Sequence, residues 1–224
     1  MLRKKLREEP PRDGTIFDRP FWRFFSALGD FFLLNIYWLF TSLPLVTIGV
    51  STSALFYVCL KKRRHEEGNL WQMYKKSFLE NLKQGTFIWL LYIFVAVDVF
   101  IIGLILCQRG VLHAEDFARN GRHYFSLVIV ILMYLGVMLY TAALLAMFRQ
   151  TTIQCIQAAV GMTFSQLPST LLFLLILLAL WTVTFYLFPA LIFIDIPLAV
   201  YLISIRINTI FQKQISRVEK IDNV

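Results

Sequence analysis

Two carboxylates inside apolar runs are the residues of this sequence best suited to chemistry. Asp98 lies between two valines in a long apolar stretch, and Asp195 lies between two isoleucines. An ionisable side chain inside a membrane is costly and by default marks a functional site. No cation is near Asp98 in sequence, so we expect it to find a partner on another helix, to be protonated or to face water. Asp195 also fits a wetted residue near the outer surface.

A second set of polar residues surrounds a proline. Its members are Asn35, Trp38, Pro44, Thr47 and Gly49. Small hydroxyl residues and glycine allow close helix approach and hydrogen bonds between helices. We predict that this set packs a helical hairpin and that Asn35 bonds to a neighbouring helix. A ligand could use the same freed backbone groups, and Trp38 also suits the membrane interface.

Catalytic, metal and cofactor sites are not predicted. The three histidines are scattered, the three cysteines are far apart, and GxSxG, P-loop and GxGxxG motifs are absent from the sequence. No nucleophile lies beside a base. We therefore expect a protein that is not an enzyme and that needs no metal or cofactor.

The composition predicts a multi-pass membrane protein. Hydrophobic residues make up 58% of the 224 residues and charged residues only 16%, against about 25% in soluble domains. The formal charge is +8, but the basic residues flank apolar runs. This pattern indicates anionic lipid headgroups and membrane topology rather than nucleic acid.

Four apolar blocks occupy residues 27–60, 86–107, 125–148 and 170–205. The second and third have the length of one crossing, which needs roughly 20 residues. The first and fourth are longer, and each contains a proline breaker, at Pro44 and Pro189. Each long block is therefore read as a tight hairpin, whose short halves either cross a thinned membrane or re-enter.

The distribution of Lys and Arg supports the hairpins, because these residues concentrate on the cytoplasmic side of short loops. With two hairpins, 19 of the 22 basic residues lie inside and 3 outside. Four single crossings would divide them 14 to 8. We expect no cleavable signal peptide, because the first 26 residues lack an early apolar core.

We therefore predict an all-α, polytopic transmembrane helical bundle of six spans, in one membrane domain with both termini cytoplasmic. Its segments are a cytoplasmic N-terminal segment (1–26), a hairpin (27–60), a basic amphipathic cytoplasmic segment (61–85), a span (86–107), an external loop (108–124), a span (125–148), a cytoplasmic segment (149–169), a hairpin (170–205) and a cytoplasmic tail (206–224).

The segment 61–85 has one apolar helical face. Leu70, Tyr74 and Phe78 are spaced by four residues, whereas the lysines point elsewhere. With Asn81, they are candidate residues for docking a cytoplasmic partner. The alternative is a helix that lies on the bilayer surface.

Several strings resemble the YesL family, also called DUF624. They are Asn35-Ile-Tyr-Trp38, Ser42-Leu-Pro-Leu-Val-Thr-Ile-Gly49, Ala54-Leu-Phe-Tyr57 and Ser77-Phe-Leu-Glu-Asn81. The resemblance is strongest over residues 20–90 and implies a protein of the bacterial cytoplasmic membrane, typical of Gram-positive organisms. Genes of the family commonly lie beside carbohydrate ABC importers, which is an association rather than a mechanism. The family supplies no catalytic or binding residues.

Three functions follow as hypotheses. The first is an accessory subunit that binds the permease alone, or the permease and the ATPase, of a carbohydrate ABC importer. The second is a small stand-alone transporter or channel with Asp98 on its path. The third is a membrane chaperone or sensor for another protein, which sequence does not separate from the first.

Overall fold

The computed structural model describes residues 20–64, 66, 68–108, 117–187 and 189–222, and every regular element in them is helical. The all-α class predicted from the sequence is thus confirmed for this part of the chain. The predicted segments 1–26 and 108–124 lie partly outside it. The seven longer helices are α1 (Pro20–Ser42), α2 (Ile48–Arg63), α3 (Leu70–Gln108), α4 (Phe117–Met147), α5 (Thr152–Ser165), α6 (Leu167–Thr182) and α7 (Asp195–Asp222).

Four of the described helices are long and apolar enough to cross a membrane. They cover Leu45–Arg63, Leu70–Ile105, Phe125–Met147 and Leu167–Tyr186. Large apolar side chains cover much of the outer surface of α3 and α4, and Phe94, Phe100 and Phe125 are each at least 66% exposed. Lipid is the solvent that suits such a surface, so this is a membrane protein.

The first apolar block is interrupted at the predicted breaker. Helix α1 ends at Ser42, and a single 3-10 turn at Leu45–Thr47 precedes α2. Proline lacks an N–H and disfavours helix at the residue before it, which explains the break at Leu43 and Pro44. The two helices then run antiparallel, because Trp38 contacts Thr52 and Asp30 forms an ion pair with Lys62 at the other end.

Helix α3 joins two segments that the sequence analysis had separated. The predicted cytoplasmic segment and the predicted span at 86–107 form one helix of 39 residues, about 58 Å long. The predicted boundary at Thr86 follows a change in hydropathy, and no proline interrupts the helix there. Since the hydrocarbon core is about 30 Å thick, an upright α3 extends well beyond it.

The α1–α2 pair packs beside only the first half of α3. Trp71 contacts Tyr37 in α1, Gly85 meets Val50 in α2, and Trp89 bonds to the break itself. Residues 90–108 of α3 therefore extend beyond the break by about 28 Å.

Helix α4 runs antiparallel to α3 along this extension. Tyr92 bonds to Thr141 (2.6 Å), and Gln84 donates to the carbonyl oxygen of Gln150 (2.9 Å). Gly103 lies in the same cleft as Leu127, nearer the other end of the pair. We call residues 70–89 of α3, together with the helices that pack against them, the inner tier. We call residues 90–108 of α3, together with the part of α4 that pairs with them, the outer tier.

The second long block is also interrupted near its predicted breaker. A π-helical turn at Val183–Leu187 follows α6, and a 3-10 turn at Pro189–Phe193 leads into α7. Helix α7 continues to Asp222, so residues 206–222 of the predicted tail 206–224 extend the last predicted span as helix rather than forming a separate segment. The predicted end at residue 205 follows a change in hydropathy. The helix itself continues because no proline or glycine interrupts it after Pro197.

Helix α2 forms the centre of the inner tier. Nine of its residues are buried, including Leu55, Phe56 and Leu60, and it packs against α1, α3, α4 and α7. Its mostly apolar sequence lacks a strong polar face, and a helix that is apolar on all sides is expected at the centre of a bundle.

Gly136 allows α4 to approach the junction of α5 and α6. A Cβ atom there would lie 2.6 Å from Thr170 Cγ2 and 2.9 Å from Thr163 Cγ2. Both distances are below van der Waals contact, and both neighbours are short β-branched side chains with little freedom to move away.

We predict that Gly136→Ala lowers stability by about 1–3 kcal/mol through overpacking, measured by thermal unfolding in detergent. Gly161→Ala is the matched control, since nothing lies within 4 Å of its Cβ position. Alanine there should stabilise α5 by up to about 1 kcal/mol through helix propensity. Equal stabilisation by both substitutions would contradict the close approach of α4.

Candidate functional site

The predicted hairpin motif supplies hydrogen bonds to the break between α1 and α2. The Thr47 hydroxyl reaches the carbonyl oxygens of Thr41 (2.5 Å) and Pro44 (2.7 Å). Trp89 Nε1 donates to the carbonyl oxygen of Leu45 (2.8 Å). Carbonyl groups freed at a helix end need such donors inside a membrane. Pro44 and Thr47 therefore serve the backbone of the break.

Gly49 brings Trp89 against α2. A Cβ atom at Gly49 would lie 3.0 Å from Trp89 Cβ, so only glycine admits the indole at this distance. A small apolar cavity of about 180 Å³ adjoins this contact, lined in part by Thr52 and Tyr92. The Tyr92 hydroxyl is already bonded to Thr141, so this cavity offers little free polar chemistry.

Asn35 and Trp38 connect α1 to other elements. Trp38 Nε1 donates to Thr52 Oγ1 (3.2 Å), which holds α1 against α2. Asn35 Nδ2 donates to the carbonyl oxygen of Ile192 (3.1 Å), in the turn before α7. The amide of Asn35 therefore links the region of the first hairpin to the break in the second long block.

The predicted docking face of α3 largely packs inside the protein. Tyr74 is fully buried, and its hydroxyl lies 2.6 Å from Thr41 Oγ1. Leu70 and Phe78 are half-buried against the core, and Asn81 Nδ2 donates to the Ser77 carbonyl of its own helix (3.0 Å). The apolar periodicity predicts one shared face, and that face contacts α1 and α2 rather than an open surface.

The exposed face of the inner tier is polar. Lys75, Lys76, Glu80 and Lys83 point outward from α3, and Arg149 pairs with Glu80 (3.4 Å). Beside them lies an open groove of about 710 Å³ between α2, α3, α4 and α5. Its polar lining includes Tyr57, Lys76, Asn81, Gln84, Gln150 and Gln154. The buried Gln150 Oε1 has no partner in the described part of the chain, so the groove offers a free acceptor beside positive charge.

Asp98 lies on the exposed surface of α3, in the outer tier. Its side chain is exposed, and it shares a face of α3 with Phe94 (66% exposed) and Ile101 (47%). It forms no hydrogen bond or ion pair with the residues that the structure describes. Of the three alternatives given for Asp98, a partner on another helix is excluded for the described part of this chain, which leaves protonation, contact with water or a partner outside it.

Asp195 is partly buried at the first residue of α7. It lines a cavity with Trp181 and Val200, and its Oδ1 is buried without a hydrogen-bond partner among the described residues. The two carboxylates singled out by the sequence are therefore in different environments, and the structure does not bring them together.

Sequence reasoning missed the polar contacts between distant helices. Tyr134 donates to the Tyr92 carbonyl (2.7 Å), and Gln84 donates to the Gln150 carbonyl. The only local signal was polar side chains at the ends of apolar blocks, which the membrane interface explains equally well.

Cys59 and Cys155 pack as apolar residues. Cys59 and Cys155 are buried free thiols, and burial raises the pKa of Cys155 to about 11. A thiol with such a pKa is a poor nucleophile and metal ligand at neutral pH. Among the described residues, no three His, Cys, Asp or Glu side chains are grouped so as to hold a metal ion.

Comparison with known families identifies one relationship. The family described as a protein of unknown function, DUF624, matches residues 31–106, which cover most of α1, all of α2 and nearly all of α3. Neither curated proteins nor solved structures gave a significant match. The matched segment includes Asn35, Trp38, the break at Pro44, Gly49 and Asp98. Over residues 31–106, this chain is similar to the DUF624 family.

Proposed function

We propose that this protein is a non-enzymatic accessory subunit of a bacterial carbohydrate ABC importer, whose permease subunits it binds within the membrane. The link to carbohydrate import comes from the gene neighbourhoods that the family resemblance implies. The need for a protein partner comes from Asp98, which is the single observation that carries the proposal.

The exposure of Asp98 supports a partner helix. A carboxylate at the centre of a transmembrane helix costs about 2.5–3.5 kcal/mol on insertion scales. Asp98 is near the middle of the apolar half of α3, and no described residue neutralises it. A polar or basic side chain on a permease helix would remove most of this cost by hydrogen bonding or ion pairing.

The polar groove supports a second contact on the cytoplasmic side. Lys76 and Arg149 border it, and Gln150 offers a free acceptor inside. A cytoplasmic loop of the permease, or the surface of its ATPase, would suit this mixture of charge and amide groups. The predicted docking segment 61–85 thus retains a role, through its polar face rather than through Tyr74 and Phe78.

We further propose that the protein lies in the bacterial cytoplasmic membrane with both termini inside, and that each long block enters the membrane as a hairpin. The charge distribution that supports six spans supports re-entrant hairpins equally, because both return the chain to the same side. The break between α1 and α2 lies level with Trp89, near the inner end of the predicted span 86–107. Because the break lies near the inner end of that span, we expect the first hairpin to re-enter the membrane rather than to cross it.

Co-purification from native membranes tests the accessory role. We predict that wild-type protein in mild detergent brings down permease subunits, and that Asp98→Leu reduces their yield at least tenfold. Phe94→Leu is the matched control, because Phe94 is exposed on the same face but carries no charge. Failure of the wild type to retain any permease or ATPase subunit would overturn the proposal, and an undiminished yield with Asp98→Leu would exclude the Asp98 face.

The stand-alone transporter receives less support. That hypothesis used Asp98 as a pathway residue, and a pathway within this chain requires an inward-facing carboxylate. Asp98 is on the outer surface of α3, so it lines no route through the described helices.

A further inference from the structure

A cavity of about 340 Å³ lies between α2, α4, α6 and α7. Its wall is apolar, formed by residues such as Leu177 and Ala199, except for Thr52 and Asp195. Trp181 lines the cavity and is also 59% exposed, so the cavity opens at the surface of α6. An engineered apolar cavity of about 150 Å³ binds benzene, so this one has room for a small organic molecule.

One end of the cavity has a carboxylate with an unpaired oxygen, since Asp195 Oδ1 is buried without a partner in the described part of the chain. Thr184 is only 3% exposed and does not itself line the cavity. Its hydroxyl adjoins the Asp195 carboxyl and has no other polar partner among the described residues. The Thr52 hydroxyl, by contrast, is satisfied by Trp38 and by the Ile48 carbonyl.

The position of these acceptors is unusual for a structural role. Thr184 belongs to the π-helical turn that follows α6, and such turns occur frequently at functional sites. Among the described residues, no Lys, Arg or His lines the cavity. A buried carboxylate without a cation is costly, so a ligand that supplies a positive charge would be favoured.

We propose that this cavity binds a small organic cation, with its ammonium group at Asp195, whose carboxyl is adjoined by Thr184, and its apolar part against Leu177, Trp181 and Ala199. Calcium or magnesium fits poorly, because these ions take about six or more oxygen ligands and the cavity offers few. The indole of Trp181 adds an aromatic face that attracts cations. This site is independent of the Asp98 face and of the importer proposal.

Binding to purified protein in phosphatidylglycerol nanodiscs tests the site, with hexylammonium as the probe and hexanol as its neutral match. We expect a saturable rise in the unfolding temperature with hexylammonium only. Asp195→Asn should weaken the apparent affinity at least tenfold, and Thr184→Val, which keeps the side-chain shape, should weaken it several-fold. Asp98→Asn is the control and should bind as the wild type does.

Three results would overturn the proposal. Equal responses to hexylammonium and hexanol would show an apolar cavity that ignores charge. Unchanged affinity in both Asp195→Asn and Thr184→Val would show that the charge is recognised elsewhere, and absence of any saturable response would exclude the site. If Asp195→Asn fails to fold, the affinity of Thr184→Val for hexylammonium decides, because an unchanged value overturns the proposal.

An alkylammonium group is offered both by free amines and by the headgroup of phosphatidylethanolamine. Repeating the titration in nanodiscs that contain phosphatidylethanolamine distinguishes them. Loss of the hexylammonium response there, with a higher starting unfolding temperature, assigns the site to the lipid. An unchanged response assigns it to a free amine.

Discussion

A cysteine at Leu43, next to the break between α1 and α2, is expected to remain unlabelled when a membrane-impermeant maleimide is added to spheroplasts. Leu43 is 71% exposed, so burial within the protein does not protect it. Protection is expected because the neighbouring break meets α3 at Trp89, near the inner end of the predicted span, and residues 90–108 continue outward by about 28 Å.

The labelling experiment has matched positions in a background where the three native cysteines are replaced by alanine. Asn120→Cys, in the predicted external loop, should label in spheroplasts, whereas Lys76→Cys should label only after permeabilisation. If Leu43→Cys labels from outside as completely as Asn120→Cys, the first hairpin crosses the membrane and six full spans are correct.

Replacement of Tyr74 by alanine is expected to cost about 3–5 kcal/mol, as for other buried aromatic residues. Its ring is stacked near Phe78, with centroids 6.4 Å apart, and lies beside Tyr37 at 6.0 Å. Its hydroxyl contacts Thr41 Oγ1 (2.6 Å) and the Ser51 carbonyl (3.4 Å). The residue thereby joins α3 to both α1 and α2.

The conservative variant separates the ring from the hydroxyl. Tyr74→Phe should cost only about 1 kcal/mol, the typical net value of one hydrogen bond, and Tyr186→Ala should cost little because Tyr186 is 82% exposed. Thermal or denaturant unfolding in detergent measures all three. If Tyr74→Ala is as stable as Tyr186→Ala, Tyr74 does not pack α3 against α1 and α2. Tyr74 would then again be a candidate for docking a cytoplasmic partner.

Local chemistry predicted the breaks well. Pro44 and Pro189 act on their own backbone and on the preceding residue, so their effect is visible in sequence. The periodicity of Leu70, Tyr74 and Phe78 likewise places them on one apolar face, but periodicity does not say whether a partner, lipid or the protein's own helices cover that face. The same limit applies to Asp98, since every face of an apolar helix looks alike when the solvent is lipid.

The candidate cavity was beyond sequence reasoning for a different reason. Asp195 was singled out, but Thr184 and Ala199 become its neighbours only when α6 and α7 fold back on each other. The boundary within α3 was misplaced because hydropathy changes near Thr86 while the helix continues. Hydropathy marks where lipid begins, whereas helix ends are marked by proline, glycine and capping residues.

The hydrogen bond from Asn35 to Ile192 has a consequence for how the protein is made. The two residues are 157 positions apart, and α7 also covers α1 through the contact of Tyr201 with Phe31. During translation, at about 5–20 residues per second, α1 therefore waits roughly ten to thirty seconds for α7, although α2 and α3 are made earlier. In that interval its Asn35 amide and the face that α7 later covers are open to lipid, to the insertion machinery or to a chaperone.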